Sequence, residues 1–140
     1  MEGANLPRID LASLRDVFTG VHRAISEGRV LACHDISEGG LAAALAEMCL
    51  GGRMGCLVEM EGTEVPEEFL FNETAGNFLL EVENTAALQD VLGRVPHRII
   101  GKTVPDREIK VFRGGKELFS VETEALREAW QRPMREVFGS

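Results

Sequence analysis

Residues 30–48 read VLACHDISEGGLAAALAEM, and the fold turns on how this stretch is divided. Val30–Cys33 form an apolar run too short for a helix and suited to a buried strand. Polar residues follow at His34, Asp35, Ser37 and Glu38. Gly39 and Gly40 then open an alanine-rich run that predicts a helix to about Leu50, closed by Gly51 and Gly52. Leu41, Leu45 and Met48 share the i, i+4, i+7 spacing of one helix face and are expected to form its buried stripe. The local frame is therefore strand, polar loop, helix.

Two readings of the polar loop stand side by side. The first turn of a helix leaves backbone N–H groups without partners, and glycine lets a phosphate approach them closely. On that reading SEGG is an anion cradle, with Ser37 capping the helix, Asp35 bracing the loop or helping to hold a metal, and His34 donating to a phosphate oxygen. On the other reading Ser37 caps, the glycines admit tight packing of helix on sheet, and His34 is a hydrogen-bonded residue at a strand end. The stretch matches neither G-x-G-x-x-G nor G-x-x-x-x-G-K-[ST], so a dinucleotide or Walker-type site has no support.

Working outward, Leu11, Leu14, Phe18, Val21 and Ile25 repeat at helical spacing, with Asp10 placed to cap and Gly28 to stop the helix. GCLVEM (55–60) and NFLLEV (77–82) read as paired strands, and the Pro- and Glu-rich stretch from Val65 to Leu70 between them as a loop or one helical turn. FNETAG (71–76) reads as a turn through Asn72, Glu73 and Thr74, or as a subunit or ligand contact. Asn84 can cap a helix over Thr85–Leu92 that Gly93 closes. RIIGKTV (98–104) predicts a strand, and EIKVFRGGKELFSV (108–121) a hairpin turned by Gly114-Gly115. A last helix from about Thr123 is expected to run until Pro133 interrupts it. The order of elements predicts an α+β fold, a mixed and largely antiparallel sheet with helices packed on one face and the other face free to meet a partner.

The 140 residues suit one domain, and 44% hydrophobic with 27% charged residues is the balance of a soluble globular chain. A formal net charge of −8 argues against a nucleic-acid partner, whose binding draws on clustered Lys and Arg. No apolar run approaches the ~20 residues that span a bilayer, and the start MEGANLPRID lacks the parts of a signal peptide, so a cytoplasmic protein without a membrane partner is expected. Cys33, Cys49 and Cys56 show no C-x-x-C spacing and read as reduced packing residues. His22 and His97 have no carboxylate or cysteine at ligand spacing, and Glu47 is expected to face solvent.

The order of motifs carries more than any one of them. ACHDISEGGLAAALAEM, LFNETAGNFLLEV, HRIIGKTV and ELFSVETEALREAW, in that order from about Leu6 to Pro133, closely resemble the C-terminal domain of the large subunit of phosphoribosylformylglycinamidine synthase. The wider superfamily includes aminoimidazole ribonucleotide synthase, selenophosphate synthetase and thiamine-monophosphate kinase. The resemblance implies part of an ATP- and glutamine-dependent ligase of purine biosynthesis that converts formylglycinamide ribonucleotide to the amidine. ATP and magnesium would then belong to the parent enzyme, with none expected in this chain. The implied partners are the N-terminal ATP-binding portion of the same enzyme and a glutaminase subunit or domain supplying ammonia. The chain reads as a single C-terminal domain and fragment, inactive alone, in which no catalytic or metal-binding residue is placed. His34, Asp35, Ser37, Glu38, Gly39 and Gly40 are its candidate phosphate-contact or domain-interface motif. The alternatives are a non-catalytic interaction module and the same domain from another superfamily member.

Overall fold

A computed structural model describes residues 10–139. In chain order it contains α1 (Leu11–Ser26), β1 (Ala32–Asp35), α2 (Gly40–Gly52), β2 (Gly55–Met60), α3 (Pro66–Phe71), β3 (Phe78–Glu81), α4 (Thr85–Leu92), β4 (Gly101–Val104), β5 (Glu108–Arg113), β6 (Lys116–Glu122) and α5 (Thr123–Phe138). The fold is α+β, and its strands divide between two sheets. β1 and β3 form an antiparallel pair, and β4-β2-β5-β6 form a four-stranded sheet. Among the described strands only β2 and β5 run parallel, so the mixed and largely antiparallel character holds.

β2 and β3 are not partners, contrary to the pairing expected from their order. β3 returns instead to β1, with His34 opposite Leu79 and Asp35 opposite Phe78. The reason lies in α3, a six-residue helix with Pro66 in its first turn. α3 packs on α2, so the chain that leaves it re-enters beside the strand preceding α2. β2 pairs with β4 and β5, and its buried residues Cys56, Val58 and Met60 alternate along one face.

The main core joins Leu41, Leu45 and Cys49 of α2 to Cys56 and Val58 of β2, Leu70 of α3, and Ile109 and Val111 of β5. Met48, expected in the buried stripe, is only half-buried, because α2 turns Leu41, Ala44, Leu45 and Cys49 to the sheet instead. A second cluster gathers Ala24, Leu88 and Leu92 where α1 meets α4, with Leu80 and Val82 beneath. Asp10 caps α1 through the N–H groups of Ala12 and Ser13, as expected. The stripe expected on that helix does not hold as a whole: Leu11, Phe18 and Ile25 are exposed, and Gly20, Val21 and Ala24 are buried. The contact with α4 and the segment after it selects small residues, since a Cβ on Gly20 would fall 3.5 Å from the Leu92 side chain and 2.9 Å from that of Val95.

The β5–β6 hairpin forms around Gly114 and Gly115, at φ 57° and 77°, the left-handed pair that a tight primed turn requires. α5 passes through Pro133 and continues to Phe138 rather than stopping. Proline removes the one bond that the Ala129 carbonyl would accept, and on an exposed helix the loss does not end the turn. Trp130, Met134, Val137 and Phe138 stand exposed along it. Cys49 and Cys56 are buried as packing residues, whereas Cys33 is exposed.

Candidate functional site

The strand in VLACHD begins later than its apolar run suggests and carries His34 and Asp35 as its last two residues. Their backbone is held by β3, and the pairing extends one residue further through Ile36 N–H donating to the Asn77 carbonyl at 2.9 Å. Ser37 and Glu38 then turn the chain, closed by Gly40 N–H donating to the Ser37 carbonyl at 3.0 Å. His34, Asp35, Ser37, Glu38 and Gly40 line a cleft of about 400 Å³ together with Ala43, Ala44 and Glu47 of α2. All the predicted motif residues except Gly39 line this cleft, and Gly39 lies directly beside it.

Ser37 does not cap α2. The N-cap is Gly39, in the left-handed region at φ 78°, and no side chain caps the helix from that position. Gly40 follows at φ 64°, and a Cβ there would lie 2.6 Å from the Leu70 carbonyl oxygen and 2.8 Å from Phe71 Cα. Gly40 thus lets the mouth of α2 close against the backbone at the end of α3, while a Cβ at Gly39 would meet Ala43 of α2 itself at 2.8 Å. Gly39 N–H donates to Glu73 Oε1 at 2.8 Å, so a carboxylate of the chain itself occupies a position the anion reading reserved for phosphate. Asn72 folds the FNETAG segment as a turn, accepting from the Thr74 N–H at 2.8 Å and from its hydroxyl. FNETAG is therefore both a turn and the internal partner of the motif loop.

Glu47, expected to face solvent, is exposed along much of its side chain, but its Oε2 lies 2.6 Å from His34 Nε2. His34 Nδ1 lies 2.6 Å from the Asp35 carbonyl oxygen. The Asp35 carbonyl foremost, and then Glu47, hold the imidazole above its ordinary pKa against the opposing effect of partial burial. The charge of the cleft is otherwise acidic, through Asp35, Glu38 and Glu47, with no Lys or Arg in its lining among the described residues. Gly40, Ala43, Ala44 and Glu47 recur at i, i+3, i+4, i+7, and that spacing was the available signal that Glu47 shares the loop's side of the helix. Glu73 carried no such signal, since it reaches Gly39 across 34 residues. His22 is exposed on α1, and His97 Nδ1 lies 2.8 Å from the Val95 carbonyl oxygen, both away from the cleft. Among the described residues no group of three His, Cys, Asp or Glu side chains is gathered to hold a metal ion.

A family model described as AIR synthase related protein, C-terminal domain, matches residues 2–114. The chain belongs to that family. This AIR synthase-related domain is 31% identical over 145 residues to the phosphoribosylformylglycinamidine synthase subunit PurL of Deinococcus radiodurans, covering 99% of the chain and 19% of the relative. It is 35% identical over 130 residues to the same subunit of Erythrobacter litoralis, covering 93% of the chain and 17% of the relative. The chain thus spans less than a fifth of the length of these relatives. Its fold matches the solved structure of PurLQS from Thermotoga maritima with a TM-score of 0.75 at 16% identity, over 87% of this chain and 23% of that one. It matches T. maritima PurL complexed with FGAR with a TM-score of 0.74, also at 16% identity, over 84% of this chain and 21% of that one.

Proposed function

We propose that the chain is the C-terminal domain of the large subunit of phosphoribosylformylglycinamidine synthase. That enzyme is a ligase that uses ATP and glutamine-derived ammonia to convert formylglycinamide ribonucleotide to formylglycinamidine ribonucleotide in purine biosynthesis. The observation that carries this reading is the alignment of nearly the whole chain, at 31% and 35% identity, with relatives of that name. The working protein on this reading is cytoplasmic, and the domain's partners are the ATP-binding portion of the same enzyme and a glutaminase that supplies ammonia.

ATP and magnesium act in the parent enzyme, and the residues of this cleft do not suit them. A triphosphate would meet Asp35, Glu38 and Glu47, with Gly39 N–H already given to Glu73. Like charges lining the cleft oppose binding, and His34 alone among the described lining residues can carry a positive charge. The contribution we assign to the domain is architectural: α3 and the FNETAG turn brace the mouth of α2 so that the motif loop presents one shape to its neighbour. Among the described residues no helix is long and apolar enough to cross a membrane.

The test is ADP release dependent on formylglycinamide ribonucleotide and ammonia. The chain alone should show none, and the chain joined to an ATP-binding portion from a relative should turn over. Turnover by the chain alone would overturn the architectural role. A joined protein that folds and binds ATP, yet converts only a different substrate, would reassign the domain to another member of the superfamily.

A further inference from the structure

We propose that His34 is a standing imidazolium that latches α2 to the end of β1, and that loss of its proton weakens the tie between the two walls of the cleft. The inference stands apart from the synthase reading, because it rests only on what surrounds the ring. Both ring nitrogens face oxygen acceptors at 2.6 Å, the Asp35 carbonyl at Nδ1 and the Glu47 carboxylate at Nε2. A carbonyl oxygen has no proton to give, and an ionised carboxylate only accepts. Both contacts are hydrogen bonds at once only if both nitrogens carry protons. A neutral imidazole, whichever tautomer it took, would set a lone pair against a lone pair at one of the two positions.

The Asp35 carbonyl and the charges around the ring favour the cation and outweigh its partial burial. On β1, Asp35 Oδ1 stands 3.8 Å from Nδ1, and on α2 Glu47 holds Nε2. The turn contributes Glu38 to the same cleft. β3 sets Leu79 opposite His34, between Phe78 and Leu80, and adds no charge there. Among the described residues no Lys or Arg lines the cleft to oppose the positive charge of the ring. The ring is about 29% exposed, enough for its proton to reach solvent and too little for water to replace both partners freely.

The mechanical consequence follows from where the partners sit. Glu47 lies two turns into α2, whereas Asp35 ends β1, so the imidazolium ties the two walls of one cleft. When the proton leaves to solvent, one of the two contacts becomes a repulsion, and whichever nitrogen keeps its proton, the contact of the strand with Glu47 loses the positive charge that assisted it. The folded-state pKa is raised, so with Glu47 ionised the latch is complete below the ordinary imidazole value of about 6.5 and weakens as pH rises through the raised one.

A titration of the 140-residue chain followed by long-range ¹H–¹⁵N spectra of the histidine rings tests this. At pH 6 both nitrogens of His34 should carry protons, with a midpoint above the ordinary value of about 6.5. The amide resonances of residues 43–47 should shift with that same midpoint. Glu47→Gln, which keeps an acceptor but removes the charge, should lower the midpoint, and His34→Gln should abolish the pH response of the α2 amides. A ring with a single proton at pH 6, or α2 amides that ignore its titration, would overturn the proposal. So would a midpoint unmoved by Glu47→Gln.

Discussion

Gly40→Ala separates a glycine kept for packing from one kept to admit an anion. Two costs add in the packing case. Gly40 sits at φ 64°, and an L-residue in that region costs roughly 1–2 kcal/mol. The added Cβ would also lie 2.6 Å from the Leu70 carbonyl oxygen and 2.8 Å from two backbone atoms of Phe71, none of which can rotate away. Forcing the backbone of α3 from the mouth of α2 costs about 1–3 kcal/mol more, as in other overpacked interiors. The expected loss is about 2–5 kcal/mol, a large part of the 5–15 kcal/mol typical of a domain. Gly28→Ala is the internal control, since Gly28 has nearly the same φ, 66°, with nothing within 4 Å of its would-be Cβ. It should lose only the conformational part, so the difference between the two variants measures the collision. Urea denaturation followed by circular dichroism reads both, each with and without 10 mM phosphate, a concentration of about that order being ample for a millimolar site. Equal losses in the two variants would refute the packing account. Stabilisation by phosphate in the unsubstituted chain, absent from Gly40→Ala, would restore the anion cradle.

Three further outcomes follow from the same contacts. Leu45→Ala, at a position 7% exposed within the main core, should cost about 2–5 kcal/mol, while Met48→Ala, half-buried, should cost less; matched denaturation midpoints for the two would contradict the burial of the α2 face. Glu73→Ala removes the acceptor of Gly39 N–H and should cost about 0.5–2 kcal/mol, as losing a helix cap does, with hydrogen exchange at Gly39 accelerated. Glu64 accepts two hydrogen bonds from Arg98, which hold its carboxyl below the ordinary value of 4.5. A depressed folded-state pKa means that this contribution is full above the ordinary value and is lost as pH falls through the folded one. Glu64→Gln should therefore flatten stability against pH on the acid side and leave the slope above pH 6 unchanged, within about half a unit of that boundary.

Most of the elements were legible in the chain itself because their signals are local. Asp10 and Asn84 cap the helices that follow them, Gly114-Gly115 turns the hairpin, and the alternation in GCLVEM marks a strand with one buried face. Each rests on backbone geometry or periodicity within a few residues. The pairing of strands was not legible in the same way. β3 and β2 each carry an apolar pattern that either neighbour would satisfy, and the docking of α3 on α2 decided that β3 meets β1. The exposed Phe18 and half-buried Met48 have the same origin, since helical spacing shows that a face exists while the partner decides which residues it covers. At the cleft, HDISEGG announced a polar loop at a helix entrance but not its occupant. Glu73 fills the amide of Gly39 from 34 residues away, and Glu47 takes His34 from 13 residues away. Hydrogen bonds are short-ranged in space and indifferent to distance along the chain, so only the folded backbone could bring those carboxylates to the loop.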